Sequence, residues 1–294
     1  MPYFYLVSSV FLLSATSVFG AYYDRKCALN KGATPFFNLV RILSSFLCWL
    51  IIFAFDFSFD AKVLLYSLAF GACFTMATVG LMYAIKFGSV AITTLILQSS
   101  LIGVTVWGLM FWGASFTITV GVGLALVIIA IALCVISGKS DGETEDDKKK
   151  SGVKWLIASL IMFVGNAGCS IIQREQQIAF NGKHGSMLMV FALIISSVVC
   201  VILFVKSDRT ETKTLLKKGW YFPVAAGVAN GILNFFVILL ATSTLSPSLI
   251  YPVLAVGGLC VTMLFSLFAF KEKLKWWQWL GFALGTVAIA LLNL

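Results

Sequence analysis

Ten apolar runs divide the chain, at 3–23, 35–55, 63–86, 88–111, 115–137, 153–174, 185–206, 219–242, 246–270 and 275–293. Each is about as long as a helix that crosses the hydrocarbon core of a bilayer, which takes roughly 17 to 25 residues. No water reaches that core, so a crossing backbone must satisfy its own hydrogen bonds, and a helix does so. Composition agrees. Of the 294 residues 60% are hydrophobic and 11% charged, whereas a soluble domain carries roughly 25% charged residues. The expected fold is all-α, a polytopic membrane protein of ten transmembrane helices.

The connections between runs are short, except for SGKSDGETEDDKKKSG at 137–152. That segment is charged and lacks apolar periodicity, as expected of a solvated linker. It leaves five runs on each side, so the predicted division is 1–137, a linker over 138–152, and 153–294. The halves also share sequence. VGVGLALVIIAIAL at 120–133 matches QWLGFALGTVAIAL at 278–291 in seven of fourteen positions, at an offset of 158. The pairs Ser44–Ser45 and Ser196–Ser197 fall at comparable depths in runs two and seven. A duplicated unit with an odd number of spans places its second copy upside down. Two inverted five-helix repeats are an architecture of secondary transporters, with the substrate site near the midplane between them.

Basic residues are distributed unequally between the two sides. The termini and the loops after runs 2, 4, 6 and 8 carry Lys62, Arg174 and Lys183, against 17 lysines and arginines in the remaining loops. The positive-inside rule makes the richer side cytoplasmic and leaves both termini outside. The net charge of +9 is then an orientation signal and calls for no nucleic-acid partner. The first run has no basic residue before it and Arg25 and Lys26 after it, the reverse of a secretory signal, so it is read as a retained span.

Several chemistries lack material. The seven cysteines never fall in a CxxC spacing, and His184 is the single histidine. No metal, cofactor or catalytic triad is expected, and the chain is read as a non-enzyme. Asp24, Arg41, Lys86, Arg174 and Glu175 lie towards run ends, where long side chains snorkel to water, and no carboxylate occupies a run centre. Neutral polar residues do lie at depth. Asn230 and Asn234 are four apart on one helical face, Gln98 precedes Ser99 and Ser100 near the centre of run four, Asn166 lies in run six and Tyr251 early in run nine. A buried amide both donates and accepts, and polar groups in hydrocarbon face a cavity or another helix. Asn230, Asn234, Gln98, Asn166 and Tyr251 are the predicted substrate-binding residues.

The closing segment FKEKLKWWQWLGFALGTVAIALL combines Lys271, Lys273 and Lys275 with Trp276, Trp277 and Trp279. Lysines at a turn and tryptophans at headgroup depth anchor a helix hairpin in the membrane. With Glu272, Gln278, Gly281 and Gly285, and with LSPSLIYPVL before it, the segment resembles the ending of an EamA-type repeat of the drug/metabolite transporter superfamily. The equivalent place in the first half, FWGASFTITVGVG, lacks the acidic residue and the glutamine. The resemblance implies a secondary carrier for small metabolites without an ATPase domain. It also implies termini in the cytoplasm, where the charge count places them outside.

The expected function is movement of a small polar or zwitterionic, amino-acid-like metabolite by alternating access, in the export direction, at the cell membrane. A non-transporting receptor or scaffold and a sugar or nucleotide-sugar-like carrier are the alternatives. The expected partners are the lipid bilayer and a small-molecule substrate. Proton or counter-substrate coupling, and monomer or homodimer, stay open.

Overall fold

The computed structural model describes residues 2–27, 29–88, 90–100, 103–104, 107, 110–111, 118–137, 145–241, 243, 247–269, 271 and 276–291. Eleven helices are defined there: α1 (Pro2–Cys27), α2 (Ala33–Phe55), α3 (Val63–Phe87), α4 (Val90–Ser99), α5 (Ile118–Ser137), α6 (Glu145–Ala179), α7 (Gly185–Lys206), α8 (Thr212–Gly219), α9 (Tyr221–Ala241), α10 (Pro247–Phe268) and α11 (Trp276–Leu291). No strand occurs among the described residues. Among them α1, α2, α3, α7, α9 to Leu240 and α6 from Gly152 are each long and apolar enough to cross a membrane. The outer faces are apolar too: Leu47, Ile51, Leu65, Val164, Val198 and Ile202 are exposed. An outward apolar belt of this extent is a surface for lipid.

Three elements differ from the sequence reading. Helix α6 begins at Glu145, inside the charged segment expected to be a solvated linker, of which 138–144 lie outside the described residues. Helix α8 is a short amphipathic turn of chain, TKTLLKKG, lying in what was read as a loop. Its Leu215 and Gly219 are buried, and a Cβ at Gly219 would lie 2.9 Å from Cys27 Sγ. Helix α4 stops at Ser99, where a continuous run over 88–111 was expected.

The principal packed pairs are α3–α6 with α9–α1, α2–α9 with α7–α3, and α1–α10 with α6–α4, together with α2–α7, α4–α10 and α5–α11. Replace α1 to α5 by α6, α7, α9, α10 and α11 in order, and the reverse. Every pair then maps onto another of these pairs or onto itself. The correspondence reaches single atoms. Ser45 Oγ of α2 donates to Gly227 O of α9 at 2.7 Å, and Ser196 Oγ of α7 donates to Gly71 O of α3 at 2.9 Å. Both glycines let the backbones approach, which is how helices associate without a hydrophobic drive between them. The two stretches with matching sequence pack on each other in α5 and α11, where Ala130 and Ala288 are fully buried.

The loops repeat the pattern at opposite ends of the bundle. Between α1 and α2, Gly32 has φ +74°, and a Cβ there would lie 2.3 Å from Asp208 O. Only glycine tolerates both that conformation and that contact. Lys31 Nζ lies 3.1 Å from Asp208 Oδ2, in the loop after α7. Between α6 and α7, His184 (φ 63°) places Nδ1 2.9 Å from Ser58 Oγ, and Ser186 Oγ donates to Asp56 O at 3.2 Å, both in the loop after α2. One clasp closes each end.

Candidate functional site

The break in α4 gathers polar groups from three other helices. Ser99 Oγ donates to Leu95 O at 2.7 Å, a side-chain bond that competes with the helical ladder. Beyond it the backbone tightens, with Ser100 N donating to Leu97 O at 3.2 Å and Gly103 N to Ser100 O at 3.0 Å. Asn166 of α6 donates from Nδ2 to Ser100 Oγ at 2.6 Å. On the other side Gln98 packs on α10, so closely that a Cβ at Gly258 would lie 2.9 Å from Gln98 Nε2. Ser14 of α1 donates from Oγ to Gly258 O at 3.0 Å. Interrupted helices within a membrane are where transporters build ligand sites, because the freed backbone groups face a cavity or a partner.

Of the five predicted site residues, Gln98 and Asn166 lie on two sides of this break, Gln98 against Gly258 of α10 and Asn166 against Ser100. Gln98 is buried and Asn166 half-buried. Asn230 and Asn234 share a face of α9 and are half-buried. Asn234 Nδ2 donates to Asn230 O at 2.9 Å and lies 3.3 Å from Asn230 Oδ1. No hydrogen bond among the described residues joins this pair to Gln98 or Asn166. Tyr251 belongs to α10, but its side chain lies outside the described residues, as does Glu272.

A cavity of about 180 Å³ opens at the end of the bundle that carries Lys31 and Lys206. Pro35 and Asn38 of α2, Val79 and Tyr83 of α3, and Cys200, Leu203 and Lys206 of α7 line it, with Ser207 beyond. Sequence reasoning missed it. It also placed Arg41 at the membrane edge, snorkelling to water. Helix α2 starts at Ala33, which sets Arg41 two turns deep, and it is 4% exposed. The Asn38-x-x-Arg41 spacing, one helical turn of polar groups in an apolar run, was the available signal.

At the rim of this cavity's end, Asp208 accepts from Thr210 N at 3.0 Å and from Thr210 Oγ1 at 2.7 Å, beside Lys31 Nζ. The Thr210 N–H, the Thr210 hydroxyl and Lys31 stabilise the charged form and draw the carboxyl from 3.8 down to about 2. A depressed folded-state pKa contributes stability above the unfolded value, lost as pH falls through the folded one. The clasp is thus intact throughout the neutral range. Asp208→Asn is expected to scale a pH–activity profile without moving its midpoint between pH ~5 and ~8. A shifted midpoint would make Asp208 a titrating group of the cycle.

The EamA-like transporter family profile matches residues 151–294. No curated protein matches the chain. A crystal structure of a protein 11% identical superposes with a TM-score of 0.60, over 98% of this chain and 94% of that one, and so shares its fold. Residues 151–294 are thus similar to the EamA-like transporter family, and with its several long apolar helices the chain is an integral multi-pass membrane protein.

Proposed function

We propose that this protein is a secondary transporter that moves a small polar or zwitterionic, amino-acid-like metabolite across the cell membrane by alternating access, in the export direction. In this reading the chain has ten spans in two inverted five-helix repeats, 1–137 and 153–294, joined by a cytoplasmic linker over 138–152. Asn230, Asn234, Gln98, Asn166 and Tyr251 bind the substrate.

One observation carries the reading. The packed helix pairs exchange among themselves when the halves are swapped, down to Ser45–Gly227 against Ser196–Gly71. Two related halves have two equivalent ways of tilting against each other, and rocking between them exposes a shared site to each side in turn. The clasps at opposite ends fit such a cycle, since one must open as the other closes. Amides suit a neutral or zwitterionic solute because they orient it without a buried charge.

The test is uptake and efflux of a broad metabolite panel by proteoliposomes containing the purified protein. Saturable flux of at least one amino-acid-like solute is expected, and folded protein that moves none would sink the proposal. Orientation is read separately, by labelling a cysteine introduced at Lys148 or Lys183 in intact cells. Position 183 is expected to react from outside and position 148 is not. The opposite pattern would invert the topology.

A further inference from the structure

Three helix ends meet at the basic end of the bundle. Helix α8 buries Leu215 and Gly219, one turn apart, against the last turn of α1, where a Cβ at Gly219 would lie 2.9 Å from Cys27 Sγ and 3.1 Å from the Tyr23 ring. The other face carries Lys213, Leu216, Lys217 and Lys218, all exposed. After Trp220 the chain enters α9, and Lys26 Nζ of α1 donates to Tyr221 Oη at 2.8 Å. The same ammonium lies 5.3 Å from the centre of the Tyr221 ring and 5.8 Å from that of Phe222. Tyr22, one turn below Lys26, stacks on Phe222. Lys26 and Lys218 both lie within electrostatic reach of Cys27, so the two lysines are neighbours.

Charge is in surplus here. Segments 24–31 and 206–218, joined by the Lys31–Asp208 pair and by a hydrogen bond from Asn30 to Glu211, carry eight lysines and arginines against three acidic residues. Those contacts occupy Asp208 and Glu211, and Lys213, Lys217 and Lys218 form no ion pair among the described residues. Depth is fixed as well. Lys26 and Tyr221 stand at the ends of two packed helices that are each long enough to cross a membrane. Trp220 and Tyr221 are 51% and 42% exposed beside them, at the level where amphipathic rings meet headgroups. The positive-inside rule accounts for the sign of this end. It does not require lysines turned outward by a buried Leu215, or an ammonium held over two aromatic rings.

We infer that the α1–α8–α9 junction is a docking surface for the headgroup of an anionic phospholipid. After its bond to Tyr221, Lys26 keeps two N–H donors, and the Tyr221 hydroxyl, accepting from Lys26, keeps its proton to donate. Both donate to the phosphodiester, and Lys217 and Lys218 complete the neutralisation, as basic clusters beside a span do on anionic lipid. The stacked Tyr22 and Phe222 rings offer the first acyl carbons an apolar wall. The surface is open and borders the lipid-facing side of α1 and α9, so its occupant arrives from the bilayer. The inference goes beyond the transport reading and does not rest on it.

Thermal unfolding of the purified full-length protein in detergent, followed by tryptophan fluorescence, tests the surface. The probes are the short-chain lipids dioctanoylphosphatidylglycerol and dioctanoylphosphatidylcholine, with inorganic phosphate at matched ionic strength as the free-anion control. Wild type is expected to gain ~3 °C or more at saturating phosphatidylglycerol and less than ~1 °C with either of the others. Lys26→Gln/Lys217→Gln/Lys218→Gln is expected to lose the gain while unfolding near the wild-type temperature without lipid, because exposed substitutions cost little. Tyr221→Phe keeps the ring under Lys26 and removes the hydroxyl, and a several-fold weaker titration midpoint is expected. Lys62→Gln/Lys183→Gln, at the opposite end of the bundle, is expected to respond as wild type does.

The inference falls if phosphatidylcholine stabilises as much as phosphatidylglycerol, which would make the occupant an acyl chain alone. It falls equally if inorganic phosphate reproduces the gain, if the triple variant responds as wild type does, or if the opposite-end variant loses the response. Should the triple variant fail to fold, Lys217→Gln/Lys218→Gln decides. A titration midpoint at least tenfold weaker supports the surface, and an unchanged one overturns it. Solute flux does not enter the readout, so transport and lipid docking stand or fall separately.

Discussion

Gly227→Leu is expected to unfold the bundle or to cost it at least ~3 kcal/mol, the upper range for forcing extra atoms into a packed interior. A Cβ at this position would lie 2.3 Å from Arg41 O and 2.7 Å from Ser44 Cβ. The first of these is backbone and cannot swing aside, so α2 and α9 must separate and the Ser45–Gly227 bond must break. Gly71→Leu should behave alike, because its Cβ would meet Ala192 O at 2.7 Å in the corresponding α3–α7 contact. Gly152→Ala is the control, with nothing within 4 Å of its Cβ. Unfolding midpoints of the three variants in one detergent decide the matter. A Gly227→Leu protein as stable as the control would mean that the close α2–α9 contact does not support the fold.

The second large effect concerns flux. Asn234→Ala is expected to lower transport at least tenfold, ~1.4 kcal/mol or more in transition-state terms, with little change in the unfolding midpoint. The structural role of this side chain is modest. Its recorded bonds run to Asn230 within the same helix, and intramolecular hydrogen bonds contribute only ~0.5–1.5 kcal/mol net. An amide half-buried on α9 without an interhelical partner among the described residues is available to a ligand. Ser44→Ala should do little, since Ser44 Oγ donates to Val40 O at 2.8 Å on its own helix. Wild-type flux and substrate affinity in an Asn230→Ala/Asn234→Ala double variant would leave the pair without a ligand role.

Much of this fold is legible from hydropathy, because in a bilayer a long apolar run has few structures open to it. The runs at 63–86 and 185–206 differ from α3 (Val63–Phe87) and α7 (Gly185–Lys206) by no more than a residue at either end. The tryptophans of the last hairpin are legible for the same reason. Trp276, Trp277 and Trp279 are all exposed on the outer surface, as anchors should be. What depends on lateral packing is harder to read. The Asn38-x-x-Arg41 spacing marks a polar face but does not say that neighbouring helices cover it, and a basic residue eight positions into a span is equally able to snorkel in a looser bundle. The stop at Ser99 falls inside an apolar run, and its i→i−4 hydroxyl bond is also made by Ser67 and Thr75 within the unbroken α3, so neither an apolar count nor that bond marks it. Helix α8 was missed because eight residues are too few to stand out by periodicity, although Leu215 and Leu216 set among Lys213, Lys217 and Lys218 form an amphipathic turn. The pairing of Gln98 with Gly258, and of Asn166 with Ser100, needed the three-dimensional arrangement of α4, α6 and α10.

The clasps offer the most direct test of alternating access. Cysteines at Lys31 and Asp208, joined by a thiol-specific bifunctional reagent, would hold the basic end shut, and cysteines at Ser58 and His184 would hold the other. Each single-cysteine protein is expected to transport after treatment with the reagent. Each cross-linked pair is expected to lose flux and to regain it when a cleavable linker is reduced, because a carrier that must open both ends in turn stops when either is locked. Undiminished flux through a fully cross-linked pair would contradict the account.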